Sequence, residues 1–263
     1  MTQGFDMGIA GRTAIVSGSS EGLGKACALA LSKCGVTVAI NGRDETKLKN
    51  TAAEIEKATG GKVILAPGDV TTEDGRAAVL AACPDPDILV NNAGGPPPGD
   101  FRTWDEETWM KALQGNMLYA VFMTNGVLDK MMERRWGRII NITSQAVKMP
   151  MPLIGLSTSA RAGLTGYMGT IARELAQYGI TVNNLLPGFF HTKRLQQYLE
   201  SVASSRNVSA AEVEAERAAA NPSRRSGNPD EFGAWCAFLA SDHSGFIVGQ
   251  NILLDGGAYP GVM

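Results

Sequence analysis

Histidine and cysteine are scarce, with two of the first and four of the second among 263 residues. His191 and His243 are too few to build a metal site with neighbouring carboxylates, so no metal is expected. Cys27, Cys34, Cys83 and Cys236 contain no CxxC pair, which argues against a zinc ribbon or a dithiol motif and leaves reduced core residues. A basic excess is missing too. With a formal net charge of -2 and no basic cluster, the chain offers no nucleic-acid-binding surface. Residues 1–11 lack the basic and apolar regions of a signal peptide, and no apolar run approaches membrane-spanning length. A cytoplasmic protein without a membrane or nucleic-acid partner is expected.

What the chain does contain is 44% hydrophobic residues, enough for a full core, in a series of segments unbroken by a repeat or linker. One domain over 1–263 is expected. Short β-branched runs alternate with helical periodicity. Parallel strands need crossovers that cover both faces, so the expected fold is α/β with a doubly wound parallel sheet, Rossmann-like. The series is organised around Ser17-Gly18-Ser19-Ser20-Glu21-Gly22-Leu23-Gly24, between an apolar run at 13–16 and a helical pattern at 25–34. A helix start exposes unpaired N–H groups at the positive end of its dipole, and glycines at 18, 22 and 24 let a pyrophosphate approach that backbone. We read Gly18, Ser19, Ser20, Gly22, Leu23 and Gly24 as a dinucleotide cradle; a tight connection without a ligand is the competing reading.

The next run, 36–41, ends in Asn41-Gly42-Arg43. An acidic residue about 20 positions beyond the glycines accepts bonds from the adenosine ribose and repels a 2′-phosphate. Here that carboxylate is missing, and Arg43 can fork onto phosphate beside Asn41, which favours NADP(H) over NAD(H). The bland alternative is a solvated Arg before a helix cap at Asp44. In Gly68-Asp69-Val70, Asp69 can meet the adenine amino group. Asn91-Asn92-Ala93-Gly94 ends another run and suits close approach by a ligand, and Gly95-Pro96-Pro97-Pro98-Gly99 is a stiff rim.

Thr103-Trp104-Asp105-Glu106 has capping-box spacing, and one long helix is expected over 107–134 with Asn116 near its buried face. A strand at 138–144 carries Ser144 at its ligand-side end. In a helix at 155–178 the stripe Leu164, Met168, Ile171 and Leu175 runs back through Arg161 to Ser157, neighbours on one face. An inward Arg is seldom buried without a partner, which points to an anionic or hydroxyl-bearing ligand; snorkelling to the surface is the alternative. Residues 193–225 are rich in Ala, Ser and charge, and a mobile helical lid over the substrate site is expected there, with one helix capped at Ser209 and the next, outside it, starting at Asn228. Phe189, Phe190, Met149, Met151 and Leu153 are either an apolar pocket wall or plain packing.

The ordered set SGSSEGLG, NGR, GDV, NNAG, Asn116, the strand ending at Ser144, and PGFFHT resembles the short-chain dehydrogenase/reductase family over nearly the whole chain. The final LLDGGAYPG is similar to the family's usual ending. The resemblance implies a nicotinamide cofactor across the strand ends, with Gly18, Gly22 and Gly24 at its pyrophosphate and Asp69 and Val70 at adenine. It further implies Asn92, Ala93 and Gly94 lining the cofactor, Pro187, Gly188 and Thr192 at the nicotinamide, and a homotetramer or dimer joined through the two long helices. The family's catalytic set is an asparagine, a serine, a tyrosine and a lysine four residues after the tyrosine. Asn116 and Ser144 match it, whereas Ser157 and Arg161 stand where tyrosine and lysine are expected.

That departure changes the chemistry. A serine hydroxyl is a poorer proton donor than a phenol, and Arg keeps its proton at ordinary pH. Arg161 can still hold the nicotinamide ribose and, with Ser144, stabilise an oxyanion, the proton coming from water, Ser157, Lys148 or His191. Tyr167, ten residues along the helix from Ser157, points elsewhere. The expected function is NADP(H)-dependent interconversion of a carbonyl and an alcohol on a small molecule, such as a 3-oxoacyl thioester. Two alternatives stay open: elimination or isomerisation in the same pocket, and NADP(H) binding without turnover.

Overall fold

The computed structural model describes residues 6–262; residues 1–5, at the start of the segment read for a signal peptide, and residue 263 lie outside the described residues. The aliphatic runs form strands β1 (Thr13–Val16), β2 (Thr37–Gly42), β3 (Val63–Pro67), β4 (Ile88–Asn91), β5 (Gly137–Ile142), β6 (Ile180–Pro187) and β7 (Asn251–Leu254). All pair in parallel, in the order β3-β2-β1-β4-β5-β6-β7. The crossovers carry α1 (Gly22–Lys33), α2 (Glu45–Thr59), α3 (Glu73–Ala82), α4 (Glu106–Leu113), α5 (Tyr119–Arg134), α6 (Gly155–Leu175), α7 (Lys193–Arg206), α8 (Ala210–Ala220) and α9 (Pro229–Ala240).

Strand side chains alternate between two cores. Val16, Val38, Ile40 and Val90 pack with Leu31, Leu48 and Phe232 from α1, α2 and α9. Ile15, Ala39, Leu89 and Ile139 pack with Val79, Met123 and Leu164 from α3, α5 and α6. Burial on both faces is why the strands read as unbroken apolar runs. The doubly wound α/β sheet is therefore present as expected. Its strand order reverses between β1 and β4, which opens a crevice at their carboxyl ends.

A polar seam crosses this sheet. Asn91, Asn141, Asn184 and Asn251 lie opposite one another in register. Asn91 Nδ2 donates to Asn141 Oδ1 at 2.9 Å, Asn141 Nδ2 to Asn184 Oδ1 at 3.0 Å, and Asn184 Nδ2 to Asn251 Oδ1 at 2.7 Å. Buried amides seek partners, and this relay pairs the oxygens of Asn141, Asn184 and Asn251, while Asn91 Oδ1 has no partner among the described residues.

Local chemistry explains where the helices start. Asp44, Ser209 and Asn228 cap α2, α8 and α9 as their positions predict. Thr103 does not cap: it closes a short 3₁₀ turn, and Asp105 instead accepts the Thr108 N–H at 2.9 Å. The helix expected as one piece over 107–134 is α4 and α5 joined by a π-helical turn, Gln114–Leu118. β5 stops at Ile142, short of Ser144, which caps the turn Gln145–Val147. α6 likewise ends at Leu175, before a 3₁₀ turn at Ala176–Tyr178. Within 193–225, the stretch expected to form a lid, α7 and α8 share a small core of Leu195, Leu199, Ala203 and Val213. Among the described residues no helix is long and apolar enough to cross a membrane.

Candidate active site

The end of β1 meets the end of β4 in the crevice. Ser17 accepts the Asn92 N–H at 2.8 Å and donates to the Asn92 carbonyl at 2.9 Å, while Asn92 Nδ2 donates to the Gly18 carbonyl at 2.8 Å. Asn41 Oδ1 accepts the Gly18 N–H at 3.2 Å, and its Nδ2 donates to the carbonyls of Ala66 and Gly68. Ser19 donates to the Val16 carbonyl and accepts the Asn41 N–H. Ser19 and Asn41, both expected at the cofactor, bond through their side chains within the protein. Both are buried and committed to protein partners, so their side chains shape the turn.

The glycines divide by function. A Cβ at Gly24 would lie 2.4 Å from the Gly18 carbonyl oxygen, so this residue lets the helix pack on the turn. A Cβ at Gly22, with φ of +62°, would meet nothing nearer than Thr192 at 3.8 Å, and one at Gly94 would meet nothing within 4 Å. Glu21 makes no capping bond at the start of α1, so the first N–H groups of that helix, near Leu23, have no side-chain cap. Ser20 offers its carbonyl to the Thr51 hydroxyl at 2.8 Å, which ties the turn to α2. An uncapped helix start under a glycine turn fits a pyrophosphate.

Arg43 stands at the rim with its side chain 80% exposed, Nη1 3.8 Å from Asp69 Oδ2. Asp69 accepts the Thr71 N–H at 3.0 Å and the Thr71 hydroxyl at 2.7 Å. Burial alone would raise the Asp69 carboxyl, but the Thr71 bonds and the Arg43 charge leave it below its ordinary value. Val70 beside it is buried.

Four further residues gather around α6. Asn116 sits in the π turn, 3% exposed, and among the described residues its Oδ1 has no partner. A π turn puts an extra residue into the helix, and such turns concentrate at functional sites. Ser144 Oγ accepts the Ala146 N–H at 3.1 Å, which leaves its O–H to donate. Arg161 is 7% exposed and points inward, so the snorkelling alternative falls. Its Nε donates to Ser157 Oγ at 3.1 Å, Nη1 to the carbonyls of Ile142 and Thr143 at 2.7 and 3.0 Å, and Nη2 to that of Ala93 at 3.3 Å. Burial pushes its guanidinium down to about 10, which leaves it charged at neutral pH.

The other proton sources considered for the site have partners elsewhere. His191 is exposed, with Nδ1 3.4 Å from Glu214 Oε1 of α8, and so belongs to the helical hairpin. Lys148 Nζ lies 5.9 Å from the Tyr259 ring centre. Phe190 is core, edge-on to Phe232 at 5.3 Å, while Phe189 lies against Tyr198 and under Arg217. Past β6, which ends at Pro187, the Gly188 N–H donates to the Leu254 carbonyl at 2.8 Å, and a Cβ there would lie 2.8 Å from Asp255 Cα. Thr192 caps α7 by accepting the Leu195 N–H.

Two residues escaped the sequence reading. Gln145 is 3% exposed, and among the described residues its Oε1 has no partner. Arg194, in the first turn of α7, brings Nη2 within 2.9 Å of the point where a Gly95 Cβ would stand, and Ser157 Oγ is 3.4 Å from the same point. Its only sequence signal is the position two residues past Thr192.

A family model described as short chain dehydrogenase matches residues 12–203. Among curated proteins, the NADPH-dependent reductase BacG of Bacillus subtilis is 32% identical over 252 residues, covering 94% of this chain and 97% of its own. The 3-oxoacyl-[acyl-carrier-protein] reductase FabG of Vibrio cholerae is 32% identical over 257 residues, covering 96% and 99%. Among solved structures, the L-sorbose reductase of Gluconobacter frateurii in complex with NADPH and L-sorbose matches with a TM-score of 0.94 at 27% identity, over 98% of this chain and 100% of that one.

Proposed function

Since the chain belongs to the short-chain dehydrogenase family, we propose that it is an NADP(H)-dependent oxidoreductase that interconverts a carbonyl and an alcohol on a small molecule. The reading is carried by the bond from Arg161 Nε to Ser157 Oγ. A hydroxyl whose oxygen accepts from a cation has its own O–H polarised and free to donate.

The backbone from Gly18 through Ser20, Gly22, Leu23 and Gly24 holds the pyrophosphate, and Arg43 takes the 2′-phosphate. Asp69 and Val70 border the adenine, Asn92, Ala93 and Gly94 line the middle, and Pro187, Gly188 and Thr192 hold the nicotinamide end. The cofactor, when bound, supplies or accepts the hydride. Ser144 donates a hydrogen bond to the substrate oxygen as negative charge grows on it. Ser157 passes its proton to that oxygen, Arg161 stabilises the charge left behind, and a water on Asn116 Oδ1 restores the proton. With four of its five N–H groups engaged, Arg161 keeps one Nη2 hydrogen for the ribose.

The same engagement favours a second reading, NADP(H) binding without turnover, because three of those bonds go to backbone carbonyls. Consumption of NADPH in the presence of ketones and oxo acids separates the two. A rate that falls about 10²- to 10⁴-fold in Ser157→Ala, with unchanged NADPH affinity, supports the enzyme; tight NADPH binding without consumption across the panel supports the second reading. A homo-oligomer built on the long helices is part of this proposal, supported by Met110 and Phe122, which are 50% and 47% exposed on α4 and α5. So is movement of the α7–α8 hairpin as a lid, supported by its separate small core.

A further inference from the structure

Two guanidinium groups lie near Ser157, and among the described residues neither has a carboxylate partner. Arg161 bonds only to carbonyls and to the Ser157 hydroxyl. Arg194 has no hydrogen-bond or ion-pair partner among the described residues, yet it reaches the space between Gly95 and Ser157. Elsewhere Arg206 forks onto Glu216 and Arg225 onto Glu231, and the buried Arg138 feels Asp242, while Arg217 lies against the rings of Phe189 and Tyr198.

Removal from water depresses the Arg194 guanidinium, and the Arg161 guanidinium is depressed by burial and by the charge of Arg194. Arg161, buried with a second cation near it and no anion among the described residues, carries a desolvation and repulsion cost. An incoming anion relieves both. Arg194 also stays accessible from solvent, so a ligand can reach it. A guanidinium with all its donors free presents a planar fork whose shape matches a carboxylate.

We infer that the substrate is an oxo acid, or in reverse a hydroxy acid, whose carboxylate is held by Arg194 while its carbonyl oxygen faces Ser144 and Ser157. This rests on the carbonyl-reductase reading above. In the reduction, the carbonyl carbon gains a hydride from NADPH, which is oxidised to NADP⁺, and the carbonyl oxygen gains a proton through Ser157. The product is the hydroxy acid.

Matched pairs test the assignment: acetoacetate against methyl acetoacetate, and 4-oxopentanoate against its methyl ester. Each is titrated by calorimetry into the full chain loaded with NADP⁺ and assayed for NADPH consumption. At least one acid should bind about tenfold or more tightly than its ester, the worth of a charge-assisted bond. Arg194→Gln should erase that preference without changing NADPH affinity, and Arg194→Lys should keep part of it. Acids and esters that bind alike, or no acid that binds at all, would overturn the inference. So would an Arg194→Gln variant that loses NADPH as strongly as it loses acids, because Arg194 would then serve the cofactor. Neutral ketones consumed with no preference for acids sink this inference and spare the reductase reading. Acids bound through Arg194 with no NADPH consumed sink the reductase reading, and with it the assignment of the acid as substrate, leaving only a carboxylate-binding Arg194.

Discussion

Arg161 and Ser157, one helical turn apart on α6, are joined by a bond of 3.1 Å from Nε to Oγ, and the same guanidinium straps the ends of β4 and β5 through three carbonyls. One side chain thus serves the site and the sheet. Substitutions at the two positions are expected to separate these roles. Ser157→Ala removes a hydroxyl and leaves the strap, so it should lower the rate and leave the melting temperature within about 2 °C. Arg161→Lys keeps a charge but cannot reach four acceptors, and should lower the melting temperature by about 5 °C as buried carbonyls lose partners. Thermal melts of the two variants check this, and equal stability would refute the strap.

Arg43 bears on cofactor choice. It is largely exposed beside Asp69, so its removal costs the fold little. Arg43→Asp is expected to weaken NADPH binding about tenfold or more and to leave NADH binding equal or better. Titration of both nucleotides by protein fluorescence decides it, and a wild type that binds both equally would contradict the 2′-phosphate assignment.

Two glycines should fail in different ways. A methyl at Gly24 collides with the Gly18 carbonyl, so Gly24→Ala should lose stability and NADPH binding together. A methyl at Gly94 meets no protein atom within 4 Å, so Gly94→Ala should melt like the wild type yet bind NADPH more weakly. Loss of stability without loss of binding at Gly94 would place the cofactor elsewhere.

Acid should act on α9. Glu231 accepts the Arg225 fork at 2.7 and 2.6 Å and the Asn228 N–H at 2.8 Å, and these bonds hold its carboxyl down to about 2 against an ordinary 4.5. A depressed carboxyl adds stability that is fully present above the unfolded value and disappears as pH falls through the folded one. Glu231→Gln is therefore expected to be less stable than the wild type at neutral pH by about 1 kcal/mol, a modest figure because the pair is exposed. Urea midpoints should converge as the pH drops below 4.5 towards 2. A gap that stays constant with pH would exclude the ionised carboxylate as its source.

Much of this was legible in the sequence because its cause is local or periodic. The strands announce themselves by burial on both faces, and Arg161 falls on the α6 stripe whose other members are core residues. The residues that escaped depend on distant neighbours. Asn41 looked like the end of a strand facing the ligand, yet Gly18, Ala66 and Gly68 consume its amide. The π turn at Asn116 leaves the helical periodicity almost unchanged, so a straight helix was the natural reading. Arg194 lies in a polar stretch, and only the approach of the rim at Gly95 reveals its place. The asparagine relay depends on strand register, which four separated short runs do not specify.

The central claim is that Ser157 and Arg161 complete a reducing site for a nicotinamide carrier. NADPH deuterated at the nicotinamide C4, incubated with the full chain and the ketone and oxo-acid panel, tests it most directly. Mass spectrometry should find one deuterium on the former carbonyl carbon of at least one product, with the label lost in Ser157→Ala. No label in any product, from protein that binds NADPH, would contradict the account.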